Sequence, residues 1–409
     1  MPEGFAPGVG YSVSINSQPK GQECTVANNV GLFSYSNINN INVSCKATLT
    51  PPPSGLGLVF DNVIGRKFNV DVNGDVFALV SDGAGGRAVR KKDISKGTEL
   101  NLIVSNALSD FHVSNNGKFI AYSELNQYGK MDILLKSMES GVTKNITSKL
   151  KGGVSNQSGN YFHPFISKNG NYLVFSAIDS GFFGGELSKV VLYDVLADKF
   201  EDIDKWKTQK VNGDCFSPSV NEDGSLVFFL STATNLDGKD VSTFTDLYLY
   251  TRSKGEFRLL SVGDIGMSGI GEVYNYDLRG DGSEVVFESS SPDLISSALE
   301  KRKNYIYRYI VGDNKVFSMT NELGEFSNCF YPRYDAEGKL VSMVCSSIKD
   351  YVIYNYSIAN SALRKVFDCS NGIIKSSITH SNGLSYFVSS CDVNGKSLDG
   401  VFNMYVKGE

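Results

Sequence analysis

Seven times along this chain a short hydrophobic run stops at an Xaa-Gly pair and a second run resumes just after it. The pairs are Asn73-Gly74, Asn116-Gly117, Asn169-Gly170, Asp223-Gly224, Asp281-Gly282, Glu337-Gly338 and Asn382-Gly383, with successive glycines 43, 53, 54, 58, 56 and 45 residues apart. Asn-Gly and Asp-Gly between two half-apolar runs read as β-hairpins, because Gly takes positive φ without penalty and Asn or Asp tolerates the neighbouring turn conformation. Each unit continues with an aromatic or aliphatic run such as Asp246-Leu247-Tyr248-Leu249-Tyr250 and a last one such as Phe257-Arg258-Leu259-Leu260-Ser261. Four strands per repeat, at a period of roughly 40 to 50 residues, indicate a β-propeller, since one blade cannot bury both faces and must stack on its neighbours. The fold class predicted is therefore all-β, a seven-bladed β-propeller closed by an N-terminal strand, with a small all-β segment before it.

The closure follows from a missing strand. The last repeat ends after Val401-Phe402-Asn403-Met404-Tyr405-Val406, one strand short, while Leu56-Gly57-Leu58-Val59-Phe60-Asp61 stands unused before the first hairpin. Residues 56–61 are predicted to complete the seventh blade against 401–406, which removes an edge that would otherwise invite aggregation.

The segments His163-Pro164-Phe165-Ile166-Ser167-Lys168-Asn169-Gly170 and Phe216-Ser217-Pro218-Ser219-Val220-Asn221-Glu222-Asp223-Gly224 carry a Pro-x-x-Ser-x-Asp-Gly-like pattern. In this they resemble TolB-type bacterial propeller repeats, and the resemblance covers about 350 of the 409 residues. It is imperfect, since proline stands six residues before the glycine only at Pro164, Pro218 and Pro332, and the first and seventh repeats are degenerate. The shared residues build turns, so the resemblance implies fold and says little about activity. Residues 1–47 are similar to the C-terminal half of a small Ig-like repeat domain of bacterial surface proteins, and that resemblance implies a Cys24–Cys45 disulfide. Closing a loop of that length would stabilise so small a unit by about 3 kcal/mol. Residues 48–55, with Pro51-Pro52-Pro53, read as a stiff linker, and 56–409 as the propeller.

Composition bears on compartment and partners. Net charge is -5 with the charges scattered, so no basic stripe marks a nucleic-acid partner. No apolar run approaches the roughly 18 residues that span a bilayer, and Met1-Pro2-Glu3-Gly4-Phe5 lacks the basic start and apolar core of a signal peptide. Together with the half domain, this reads as a shortened piece of a longer exported protein, extracytoplasmic and monomeric. Of the other cysteines, Cys329 and Cys345 would face each other if their hairpin loop is the three residues 336–338, and would not with a two-residue loop. Cys215, Cys369 and Cys391 read as free, buried thiols.

Candidate sites are few. His112, His163 and His380 stand 5, 7 and 3 residues before their glycines, three different registers that argue against convergence on one metal. There is no Gly-x-Ser-x-Gly elbow, and Arg279-Gly280-Asp281 occupies the generic turn. Asp237, Asp240 and Asp246 could offer oxygens to Ca²⁺, although Asp237-Gly238 is also an ordinary turn pair. Eight residues before successive turn glycines stand Phe162, Phe216, Tyr274 and Phe330, near the start of the innermost strands. These aromatics, with Tyr161, His163 and Tyr331 beside them, either line the channel mouth, where they could clamp a peptide or stack on a sugar, or pack between blades. Two functions follow as expectations. One is a non-catalytic interaction module of the bacterial envelope that binds a protein or glycan on its top face. The alternative is an extracytoplasmic polysaccharide hydrolase or lyase using channel carboxylates.

Overall fold

The computed structural model describes residues 10–15, 22–32, 41–47, 56–81, 85–148, 150, 159–179, 186–201, 211–263, 266–295, 303–320, 323, 328–348, 350–370, 372–391 and 402–408. Seven four-stranded antiparallel sheets follow one another. Their first strands are Val63–Val70, Leu108–Val113, Asn160–Ile166, Cys215–Val220, Val273–Leu278, Asn328–Tyr334 and Ile374–Thr379, which define blades 1 to 7 in that order. These first strands neighbour one another around the central axis and so form the inner wall. The chain is a closed seven-bladed propeller. Blade 7 takes its outer strand from the N-terminal side, as Leu56–Phe60 pairs with Asn403–Lys407 through Met404 opposite Phe60 and Lys407 opposite Leu56.

The core is divided among the seams. Each of the seven buried hydrophobic clusters joins two adjacent blades, for example Phe77, Val89 and Ile103 of blade 1 with Phe111, Ile120 and Tyr122 of blade 2. The alternation of side chains along a strand explains this. In the second strand of blade 3, Leu173 and Phe175 face blade 2 while Val174 faces blade 4. A strand buried on both faces is why these runs read as continuously apolar rather than alternating.

All seven turn glycines have positive φ, between 67° and 83°. Five of them are also pressed against the preceding blade: a Cβ on Gly170 would lie 2.7 Å from Phe119, and one on Gly224 would lie 2.7 Å from Tyr172. The asparagines beside them do more than permit a turn. Asn116 Nδ2 donates to Asn169 O at 2.8 Å, and Asn169 Nδ2 donates to Glu222 O at 2.8 Å, so each side chain ties its turn to the next blade. Backbone bonds continue this belt from Val72 N–H to Asn115 O and from Glu222 N–H to Gly280 O.

The cysteines divide differently from the sequence reading. Cys329 and Cys345 form a disulfide, opposite each other on the hairpin of blade 6. The reason is not a three-residue loop: Asp335 N–H bonds Leu340 O, leaving four residues between, and a bulge between Phe330 and Arg333 shifts the register back by one. Cys369 and Cys391 are not free thiols but a second disulfide, linking the outer strand of blade 6 to blade 7. Among the described residues, Cys215 is a free, buried cysteine. In the N-terminal unit Gly10–Ser12 pairs with Val30–Leu32, and Gln22–Ala27 pairs with Asn42–Ala47 with Cys24 opposite Cys45. The side chains of those two cysteines, and the linker 48–55, lie outside the described residues.

Candidate functional site

Every inner strand carries a β-bulge between its start and its turn. In blades 3, 4 and 6 the bulge places His163, Ser217 and Tyr331 in the left-handed region, at φ 53°, 49° and 53°. Each precedes a proline, Pro164, Pro218 and Pro332, whose ring disfavours the right-handed helical region for the residue before it. The proline that looked like part of a turn signature therefore shapes the channel wall. A bulge re-aims side chains, and here residues at four consecutive positions reach the axis.

The result is a cup of about 430 Å³ on the axis, lined only by inner-strand residues and Leu230. Its layers follow the sequence. Arg66, Phe216 and Tyr274 stand at the mouth with Lys67, His163 and Tyr331 just inside; a largely apolar ring of Phe68, Phe111, Pro164, Pro218, Tyr276 and Pro332 comes next; and Asn69, His112, Phe165, Asp277 and Arg333 lie deepest. Below them Lys168 of blade 3 crosses to blade 6 and donates from Nζ to Ala336 O at 3.1 Å, its stem passing against Gly280 of blade 5. The channel is thus open on the face where inner strands begin and closed toward the turns.

Electrostatics differ with depth. At the mouth the Arg66 guanidinium lies 4.6 Å over the Tyr331 ring, and Lys67 pairs with Asp110. At the floor Arg333 donates to Phe68 O at 2.7 Å and packs over the Phe68 ring. Burial lowers its pKa, opposed by the charge of Asp277. Burial in turn raises the Asp277 pKa, while Arg333, Lys168 and the N–H of Tyr334 at 2.8 Å pull it down. His112 stacks on Phe165 at 4.1 Å, and burial, with Arg333 and Lys67 nearby, brings its pKa down to about 3. His163 is shifted down for the same first cause, and its Nδ1 is buried without a hydrogen-bond partner. Both imidazoles are therefore neutral at pH 7.

Four of the seven residues predicted to line the mouth do so: His163, Phe216, Tyr274 and Tyr331. Tyr161 does not. It points the other way, into the seam between blades 2 and 3, and donates its hydroxyl to Asp179 at 2.6 Å. Phe162 and Phe330 stand beside the lining rather than in it, packed on the rings of His163 and Tyr331. The alternation of strand side chains decides this, with residues 161 and 163 separated by the bulge. Reading the aromatics eight residues before the turn glycines missed Arg66, which shares that offset, Lys67 at seven, and His112, Asp277 and Arg333 at five.

Asp237, Asp240 and Asp246 lie between and at the start of blade 4 strands, outside the cup. Asp237 accepts from the N–H groups of Lys239 and Leu259, and Asp240 accepts from Ser242 N–H and the Tyr248 hydroxyl. Asp246 accepts from the Ser261 hydroxyl. Among the described residues, no group of three or more His, Cys, Asp or Glu side chains converges in a way that could hold a metal ion.

Fold and site together define a propeller with a blind, cation-rimmed cup on one face. No family model matches the chain, and no curated protein matches it. Solved structures resemble it in shape. The propeller domain of the Trilobed protease from Pyrococcus furiosus has a TM-score of 0.55 at 10% identity, covering 86% of this chain and 95% of that one. Oligogalacturonate lyase from Vibrio parahaemolyticus has a TM-score of 0.57 at 11% identity, covering 98% of each. TolB from Acinetobacter baumannii has 16% identity and a TM-score of 0.42, covering 79% and 76%. At these identities the likeness is one of fold.

Proposed function

We propose that this protein is a non-catalytic, extracytoplasmic binding module of the bacterial envelope whose cup receives part of a protein or glycan on the top face. The observation that carries the reading is the lining. A rigid ring of inner strands presents cations and aromatic rings at the mouth, and the only carboxylate among the cup's lining residues, Asp277, is engaged by Tyr334 N–H and lies beside Arg333. Acid–base cleavage of a glycan needs two carboxylates facing one bond. A binding site needs shape, apolar surface and a few oriented polar groups, which the cup has. The neighbours include a lyase and proteases, but a shared propeller does not transfer their chemistry. Two disulfides support an oxidising compartment.

The test compares wild type with an Arg66→Glu/Tyr274→Ala variant for binding to envelope proteins and to glycan panels, alongside assays for new reducing ends or unsaturated uronates. Binding lost in the variant at unchanged melting temperature, with no turnover, is the expected result. Turnover that disappears in Asp277→Asn would replace the binding reading with the enzymatic one.

A further inference from the structure

The cup is blind, and a blind cup takes the end of a chain rather than its middle. Its charge and polarity then narrow which end. The mouth carries Arg66, which lies over the Tyr331 ring, Lys67, which pairs with Asp110, and His163. The ring beneath is nearly all apolar, and the hydroxyls in and beside it are already engaged: the Tyr276 hydroxyl donates to Ser217 O and Phe228 O, and Ser376 Oγ donates to Arg66 O. A sugar ring in that layer would lose its hydroxyl hydrogen bonds to water and find few in return, a cost of about 1–3 kcal/mol for each unpaired group. An apolar side chain would lose nothing.

A second feature continues the surface outward. Val273 N–H bonds Thr245 O at 2.8 Å and Val241 N–H bonds Ser268 Oγ at 3.2 Å, which join the segments carrying Val241 and Phe244 to those carrying Ile270 and Tyr274. All four are exposed, between 40% and 67%. An extended peptide leaving the cup would find this apolar ledge next to it.

We infer that the cup captures the carboxyl-terminal residue of a partner polypeptide, its apolar side chain inside the ring and its terminal carboxylate at the mouth beside Arg66, Lys67 and His163. The inference rests on the binding reading of the cup and specifies its ligand. Oriented capture of a terminal carboxylate is a known mode of peptide recognition, and the fixed inner strands hold these groups in place without an ordering cost on the protein side.

The experiment uses fluorescein-labelled peptides with a Gly-Ser body ending in Phe, as the free acid and as the C-terminal amide, and the same body ending in Lys. Uronate-terminated and neutral oligosaccharides form separate arms. The Phe-terminated acid is expected to bind at least tenfold more tightly than its amide and than the Lys-terminated peptide, to weaken with salt, and to shift the His163 ring resonances. Arg66→Ala should bring the acid to the level of the amide, and Arg66→Lys should recover part of the difference, which a merely structural loss would not allow. Acid and amide binding equally would overturn the inference. Binding of the uronate oligosaccharide with no peptide binding would also overturn it while leaving the cup as a binding site; no response in His163 or Tyr274 to any probe would remove both.

Discussion

Asp246 has one carboxylate oxygen bonded by Ser261 and the other buried without a partner. Desolvation, with Asp240, Glu272 and Asp237 adding negative charge nearby, pushes its pKa up to about 8. An unfolded aspartate releases its proton near 3.8, so the folded state binds more protons between those values and stability falls as pH rises through that window. Asp246→Asn is expected to flatten the loss between pH 5 and pH 8.5 and to be the more stable protein at the upper end, by an amount on the order of a few kcal/mol at most. Urea midpoints of both proteins at the two pH values check this. Equal pH slopes would mean the carboxylate is not held neutral. The sequence showed this residue only as one acid among several, because its burial depends on how the strands and loops of its blade pack around it. His112 and His163 both line the cup, whereas His380, three residues before its glycine, accepts a bond from Asn382 N–H in its own turn.

At the scale of the hairpin, the Xaa-Gly pairs were readable as turns because positive φ is a local demand. Their second role was not, since it depends on the preceding blade. A matched pair of substitutions separates the two. Gly141 has φ 71° with nothing near its would-be Cβ, while Gly170 has φ 82° with Phe119 at 2.7 Å. Gly141→Ala is expected to cost about 1–2 kcal/mol for the left-handed backbone alone, and Gly170→Ala about 1–3 kcal/mol more for overlap across the seam. Denaturant midpoints measure both, and equal losses would show that the glycine serves only the turn. The disulfides divide along the same line. Cys329–Cys345 lies within one hairpin and is open to a register argument, even though its register comes from a bulge at Tyr331-Pro332. Cys369–Cys391 crosses a seam, where no register within a blade reaches. Cysteine counting gives a further expectation: in denaturant without reductant one thiol, Cys215, should react with maleimide if Cys24 and Cys45 are joined, and three if they are not. One is expected.

The whole molecule depends on a strand that comes from far along the chain. Leu56–Phe60 supplies the outer strand of blade 7 and places Val59 and Phe60 in the cluster that joins blade 7 to blade 1, with Val63, Val76, Tyr386 and Met404. This closure was legible because a repeat count leaves a remainder, and a missing strand at one end with a spare strand at the other is visible without any contact information. The cup was not legible in the same way, because it is made of positions that share an offset but not a residue type. Deleting residues 1–61 removes the strand, uncovers those apolar side chains and leaves Asn403–Lys407 as an unpaired edge, the configuration that recruits other chains. Deleting residues 1–50 keeps it. The shorter truncation is therefore expected to melt cooperatively at the temperature of the full chain and to remain a single species by light scattering. The longer one should melt lower and self-associate as concentration rises. If both truncations melted and scattered alike, the strand would contribute nothing to closure and the ring would have to be held by its seams alone.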